Sequence, residues 1–228
     1  SKATAVRILQ RDLTDDYCFR LLRDELDFIT PNGMRDVRLQ IPSRTERVVP
    51  MIRTNEFVVV PQSEAYEELL YRLLDAAASL WNQLTYARRQ RFFDGDDIWE
   101  ADCFYDEYKG LLGSATTETM TRVNDRAWRS FFARNEGDPS AQPPGYWGNE
   151  DKGRDLRIFL KSQAYTLQWG RYSRVELAIG REIKPEYGLT PNKRPRVPIR
   201  GNPTWREGRR GELQITYDEL TDEFRAYQ

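Results

Sequence analysis

The chain has 228 residues, 39% hydrophobic and 31% charged, with 35 Lys or Arg against 36 Asp or Glu and a net charge of −1. This is the composition of a globular protein on the polar side of normal, large enough for one large domain or two small ones. No apolar run nears the roughly 20 residues of a membrane span, and no signal-peptide pattern opens the chain, so no membrane partner and a cytoplasmic location are expected.

Histidine is absent, which excludes Ser-His and Cys-His nucleophile pairs. The two cysteines, Cys18 and Cys103, stand far apart and are expected as buried small hydrophobes. A zinc site of the usual Cys/His type is excluded, while carboxylate-bound magnesium stays open in principle.

In chain order, residues 1–50 read as a small β-α-β-like piece of unknown role. VRIL (6–9) and RDVRLQI (35–41) are strand-like, around a helix with Phe19, Leu22, Leu26 and Ile29 at helical spacing. FVVVP (57–61) is a short apolar strand, placing a first barrel strand in 51–62. The next helix spans Ser63 to Phe93. Ser63 is an N-cap, Glu64, Glu67 and Glu68 suit the positive end of the dipole, and Gly95 ends it. Leu69, Leu70, Leu73, Leu74, Ala77, Leu80, Trp81 and Leu84 give it one wide apolar face.

A second helix is expected from Asp97 to Leu112, with Trp99, Phe104, Tyr108 and Leu111 inward. A third is expected from Thr116 to Ala133, with Met120, Val123, Ala127 and Phe131 forming its face. Residues 63–135 thus read as a helical bundle. NEGDPSAQPPG (135–145) is a loop. Beyond it, YTLQWG (165–170), SRVELAIG (173–180), RPRVPIRG (194–201), GELQITYD (211–218) and FRAYQ (224–228) are short strands separated by Gly and Pro. The expected fold class is α+β: a small antiparallel β-barrel, OB-like, across 136–228, carrying a helical-bundle insertion.

Charge is unevenly spread. From Arg181 to Arg210 there are nine Lys or Arg against three Glu; from Gly211 to Gln228 there are five acids against one Arg. A nucleic-acid binder needs a basic surface only where phosphates lie. Lys193, Arg194, Arg196, Arg200, Arg206, Arg209 and Arg210, with Trp205 among them, combine guanidinium forks with an aromatic face. The competing reading is a strand edge protected by charge. Arg122, Arg126 and Arg129, with Arg88, Arg89 and Arg91, form a second candidate stripe, whose plain alternative is a solvated bundle face.

PPGYWGNEDKGRDLR (143–157) sets Tyr146, Trp147 and Arg154 in a glycine-broken polar loop. The rings are either a lid over a core or a stacking surface for exposed bases. The acidic runs DGDD (94–97) and DEYK (106–109) read as helix caps and solvated faces rather than metal ligands.

LLDAAASLWNQLTYARRQRFFDGDDIWEADCFYDEYKGLLGSATTETMTRVNDRAWRSFFA (73–133), then PPGYWGNEDKGRDLR, then YTLQWG, resemble the N-terminal half of TnpB, the orfB-type transposon proteins, especially those of haloarchaea. The resemblance covers residues 51–228. It implies a β-barrel wedge domain interrupted by a helical recognition domain, which together hold a transposon-end-derived guide RNA and target DNA. The family's RuvC-like nuclease, with three acidic residues and magnesium, and its zinc ribbon follow the barrel. No residue here matches those catalytic acids, so no catalytic residue, no metal ligand and no cofactor is expected in this chain. A protein-interaction module without nucleic acid, or one part of a nuclease completed by a RuvC-containing polypeptide, is the alternative expectation.

Overall fold

A computed structural model describes residues 54–100, 104–149, 153–203 and 210–228. The expected N-terminal β-α-β piece, both cysteines, and Trp205, Arg206 and Arg209 lie outside the described residues. Among the described residues the structure is α+β, with three α-helices and a seven-stranded antiparallel sheet.

Strand β1 (Glu56–Val59) leads directly into helix α1 (Glu64–Asp94). The Ser63 side chain accepts the Tyr66 amide at the N-terminus, Glu64 and Glu67 occupy the first turn, and Gly95 closes the helix in the left-handed conformation at φ 79°. The single helix expected over Asp97–Leu112 is divided. A 3-10 turn (Ile98–Glu100) and helix α2 (Tyr105–Leu112) stand in its place. Asp97 accepts the Trp99 amide at 3.0 Å, a local bond that caps the short turn. Trp99 is consequently a surface residue, and Tyr108 and Leu112 are the buried ones.

Gly113, at φ 84°, turns the chain into α3 (Ser114–Asn135). Its buried stripe is Met120, Asn124, Trp128 and Phe131, rotated from the expected one, with Val123 and Ala127 half-buried at its margin.

The sheet follows as β4 (Arg157–Leu160), β5 (Tyr165–Gln168), β6 (Arg174–Leu177), β7 (Arg196–Arg200), β8 (Leu213–Asp218) and β9 (Glu223–Tyr227), with a two-residue hairpin, β2 (Gly148–Asn149) and β3 (Gly153–Arg154), preceding it. Its order is β4-β8-β9-β1-β7-β6-β5. Strand β1 is therefore central, although the helices separate it in sequence from all the others.

The sheet is not closed: among the described residues β4 and β5 each pair on one side only. The strands of the expected barrel form one rolled sheet. Six antiparallel steps leave β4 and β5 pointing the same way, and only four residues join them. Those residues reach at most about 18 Å, whereas a flat seven-stranded sheet separates its edges by about 29 Å. The chain rounds a corner there, as strands do where orthogonal layers meet.

Alternation fills the roll: Phe57, Val59, Ile158, Leu160, Val175, Leu177, Val197, Ile199, Leu213, Ile215, Phe224 and Ala226 all point to one core with the apolar face of α1. A second cluster, Ile98, Trp128 and Phe131, with Phe92 and Phe132 against it, closes the far end of the helices.

Candidate nucleic-acid interface

The loop quoted above is laid along α1 by three helix side chains. Trp81 donates its indole N–H to the Gly145 carbonyl at 3.0 Å. Asn82 accepts the Trp147 amide at 2.8 Å and donates to the Gly148 carbonyl at 3.0 Å. Arg89 donates to the Pro144 carbonyl at 3.1 Å.

Trp147 stacks on Trp81, with centroids 4.3 Å apart and planes 8° from parallel, and the Arg157 guanidinium lies over the ring at 5.0 Å. The stacked indole fills one face, which leaves the other to the guanidinium. Trp147 is therefore a lid, and no base can stack on it in this arrangement. Gly148, at φ 68°, is required here, because a Cβ would stand 2.2 Å from the Gly153 carbonyl oxygen. Arg154 pairs with Asp75 on α1 at 2.5 Å and serves to anchor the hairpin. Tyr146 keeps an open ring, 49% exposed, beside Arg89 at 5.9 Å. Phe93, also exposed, lies on Arg89 as well, at 5.6 Å.

Arg88 leaves the predicted stripe altogether. It is 1% exposed, donates to Asn124 at 2.8 Å and pairs with Asp125 at 2.7 Å, while Asn124 donates to Thr85 at 2.9 Å. Its position on α1 is one that the α1–α3 contact encloses, so it joins helices and cannot reach a phosphate. Arg91 is bound to the Asp97 carbonyl and to Glu100. Arg122 pairs loosely with Glu118 at 3.7 Å, and Arg126 with Glu212 at 2.8 and 3.1 Å. Arg129 is exposed, has no carboxylate among the described residues, and covers Trp99 at 5.4 Å. Arg88 lies at the same distance from that indole.

On the sheet face away from the core, cross-strand register draws one row: Arg157, Thr216, Arg225, Val58, Arg200. Carboxylates answer its cations. Arg225 pairs with Glu56, Asp218 and Glu223, Arg200 with Glu223 at 2.6 Å, and Arg157 with Asp155. Arg196 and Arg174 share Glu176, at 2.9 and 3.4 Å.

Arg196 and Arg200 are thus paired strand-face residues, the protected-edge arrangement weighed above. Lys193 and Arg194 differ: neither meets a carboxylate among the described residues, and Arg194 donates only to the Gln163 carbonyl at 3.3 Å. Arg210 is exposed at the edge of the described segment. Sequence reasoning passed over Arg181 and Lys184 in the β6–β7 connection. Their signal was the missing local acid at helical or cross-strand spacing.

No group of three or more potential metal ligands occurs among the described residues. No helix among them is long and apolar enough to cross a membrane.

No protein-family profile matches the chain. It is 26% identical, over 188 residues, to the TnpB-like protein ORF457 of Acidianus two-tailed virus, covering 77% of this chain and 37% of that protein. The similarity supports a TnpB-type protein. The chain spans a little over a third of the length of that curated relative.

Proposed function

We propose that this chain is a nucleic-acid-binding module, equivalent to the non-catalytic half of an RNA-guided TnpB nuclease, which holds a guide RNA and its DNA target in the cytoplasm. The similarity to a TnpB-like protein over most of the chain carries this reading. Two surface features support it. Arg89, Tyr146 and Phe93 offer a cation between open rings on which unpaired bases can stack. Arg129, Lys193 and Arg194 are cations that no carboxylate of the described residues neutralises, which leaves their charge for phosphates.

Catalysis, with its magnesium and zinc, is assigned to a RuvC-containing portion or partner polypeptide, and none to the residues named here. The test is to purify the protein without nuclease treatment, read the 260/280 nm ratio, and extract and sequence what is bound. A discrete RNA species is expected. Protein that emerges free of nucleic acid and binds neither RNA nor DNA at low salt removes the reading.

A further inference from the structure

Most described cations in this protein have a carboxylate. The connection between β6 and β7 breaks that pattern. Arg181, Lys184, Lys193 and Arg194 fall within fourteen residues, and none pairs with an acid among the described residues. The loop is folded back on itself. Gly188, in the left-handed conformation, ends a 3-10 turn over Lys184–Tyr187, the Leu189 amide donates to the Lys184 carbonyl at 3.0 Å, and the Lys193 amide donates to Thr190 at 2.9 Å.

Lys184 is only 7% exposed, and its ammonium donates within the same loop to the Pro191 carbonyl at 2.5 Å. One carbonyl satisfies one of its three N–H groups. The two acids of the segment are turned elsewhere. Glu186 is held by Arg72 at 2.6 Å, and the Glu182 carboxylate lies against the Cα of Gly110 on α2.

Burial, followed by repulsion from Arg181 and Arg194, holds the Lys184 ammonium below the usual lysine range. A buried cation in a loop that carries three more is unfavourable unless an anion joins them.

We infer that this loop is a phosphate-binding site, with Arg181 and Arg194 as guanidinium ligands, Lys184 as a buried ammonium beneath them and Lys193 at the rim. The identity of the carrier, a nucleic-acid backbone rather than free phosphate, rests on the proposed function.

Two probes separate these sources: inorganic phosphate, and a mixed-sequence single-stranded RNA. The variant is Arg181→Gln/Arg194→Gln in the full chain; both residues have accessible surface, so the fold survives. Arg134→Gln, an exposed cation on α3, is the control. Phosphate, compared with chloride at equal ionic strength, should raise the melting temperature of wild type and control but not of the double variant. The double variant should also flatten the slope of log K against log salt for RNA by about 0.7, the one phosphate that the two guanidinium groups hold.

Equal phosphate response and equal slope in wild type and double variant overturn the site. A phosphate response that the double variant abolishes, in a protein that binds no RNA, upholds the site and overturns the nucleic-acid reading instead.

Discussion

At Arg88 a guanidinium is enclosed between two helices, with Asn124, Asp125 and the Trp99 ring around it. Removing one partner of such a group leaves the others buried and unmatched. Arg88→Ala should therefore lower unfolding free energy by about 3 kcal/mol, towards the small end of the range for buried pairs because Asp125 keeps some solvent. Urea denaturation measures it, and a loss under about 0.5 kcal/mol would refute the buried-network account.

Tyr217 supplies a pH dependence. Its hydroxyl donates to Asp222 at 2.6 Å, and that bond, with a further one to Tyr71, holds its pKa above the ordinary tyrosine value. The folded state keeps the proton longer than the unfolded state. Its stabilisation is therefore complete below about pH 10 and is lost as pH rises beyond it. Tyr108 and Tyr165 shift the same way, mainly through burial. Melting temperature should fall from pH 9 to 11, and less steeply in Tyr217→Phe. Identical slopes for the two proteins would contradict the assignment.

The elements show where sequence patterns suffice and where they stop. Helix α1 was legible from end to end, because Ser63, the acidic first turn, the leucine spacing and Gly95 all act within one turn of their effects. The alternation of Leu213 and Ile215 likewise announced β8. Strand β4 was missed, since Arg157 and Phe159 alternate with only two core residues and follow a polar loop. The burial of Arg88 and the role of Trp147 were not legible, because each is decided by a partner remote in sequence.

So is the contact between α2 and the segment after β6. The Gly180 amide donates to the Leu111 carbonyl at 2.8 Å, and the Glu182 amide to Gly110 at 3.1 Å. A Cβ on Gly180 would meet the Gly110 carbonyl oxygen at 1.8 Å, and that atom is backbone. Gly180→Ala should cost about 1–3 kcal/mol and move α2 from the segment after β6. Gly145→Ala, where a Cβ meets nothing within 4 Å, is the matched control, and equal stability of the two would dispose of the packing argument.

For the whole molecule, near-zero net charge reflects a balance of 35 Lys or Arg and 36 Asp or Glu rather than scarcity of charge. Most cations of the outer sheet face are already bound to acids, so few phosphates can be neutralised on contact. Arg89, Arg129, Arg181, Lys193, Arg194 and Arg210 are candidates with no carboxylate among the described residues. With Arg181, Lys193 and Arg194 sharing one phosphate and the others taking one each, at roughly 0.7 per single-strand phosphate, log K for RNA should fall with log salt at a slope of about −2.8. Binding titrations across salt concentrations check this; a slope steeper than about −8 would mean that the paired arginines exchange their carboxylates for phosphate.

The position of β1 has a consequence for synthesis. Its neighbours are β7 and β9, and at its start the Asn55 backbone exchanges two hydrogen bonds with Gln228, while their side chains bond across a separation of 173 residues. At 5–20 residues per second, that span takes roughly 9–35 s to emerge from a ribosome. The three helices, whose contacts are local, can pair long before then. A central strand with both edges bare must wait for β7 and β9, and the nascent chain is most exposed to mispairing in that interval.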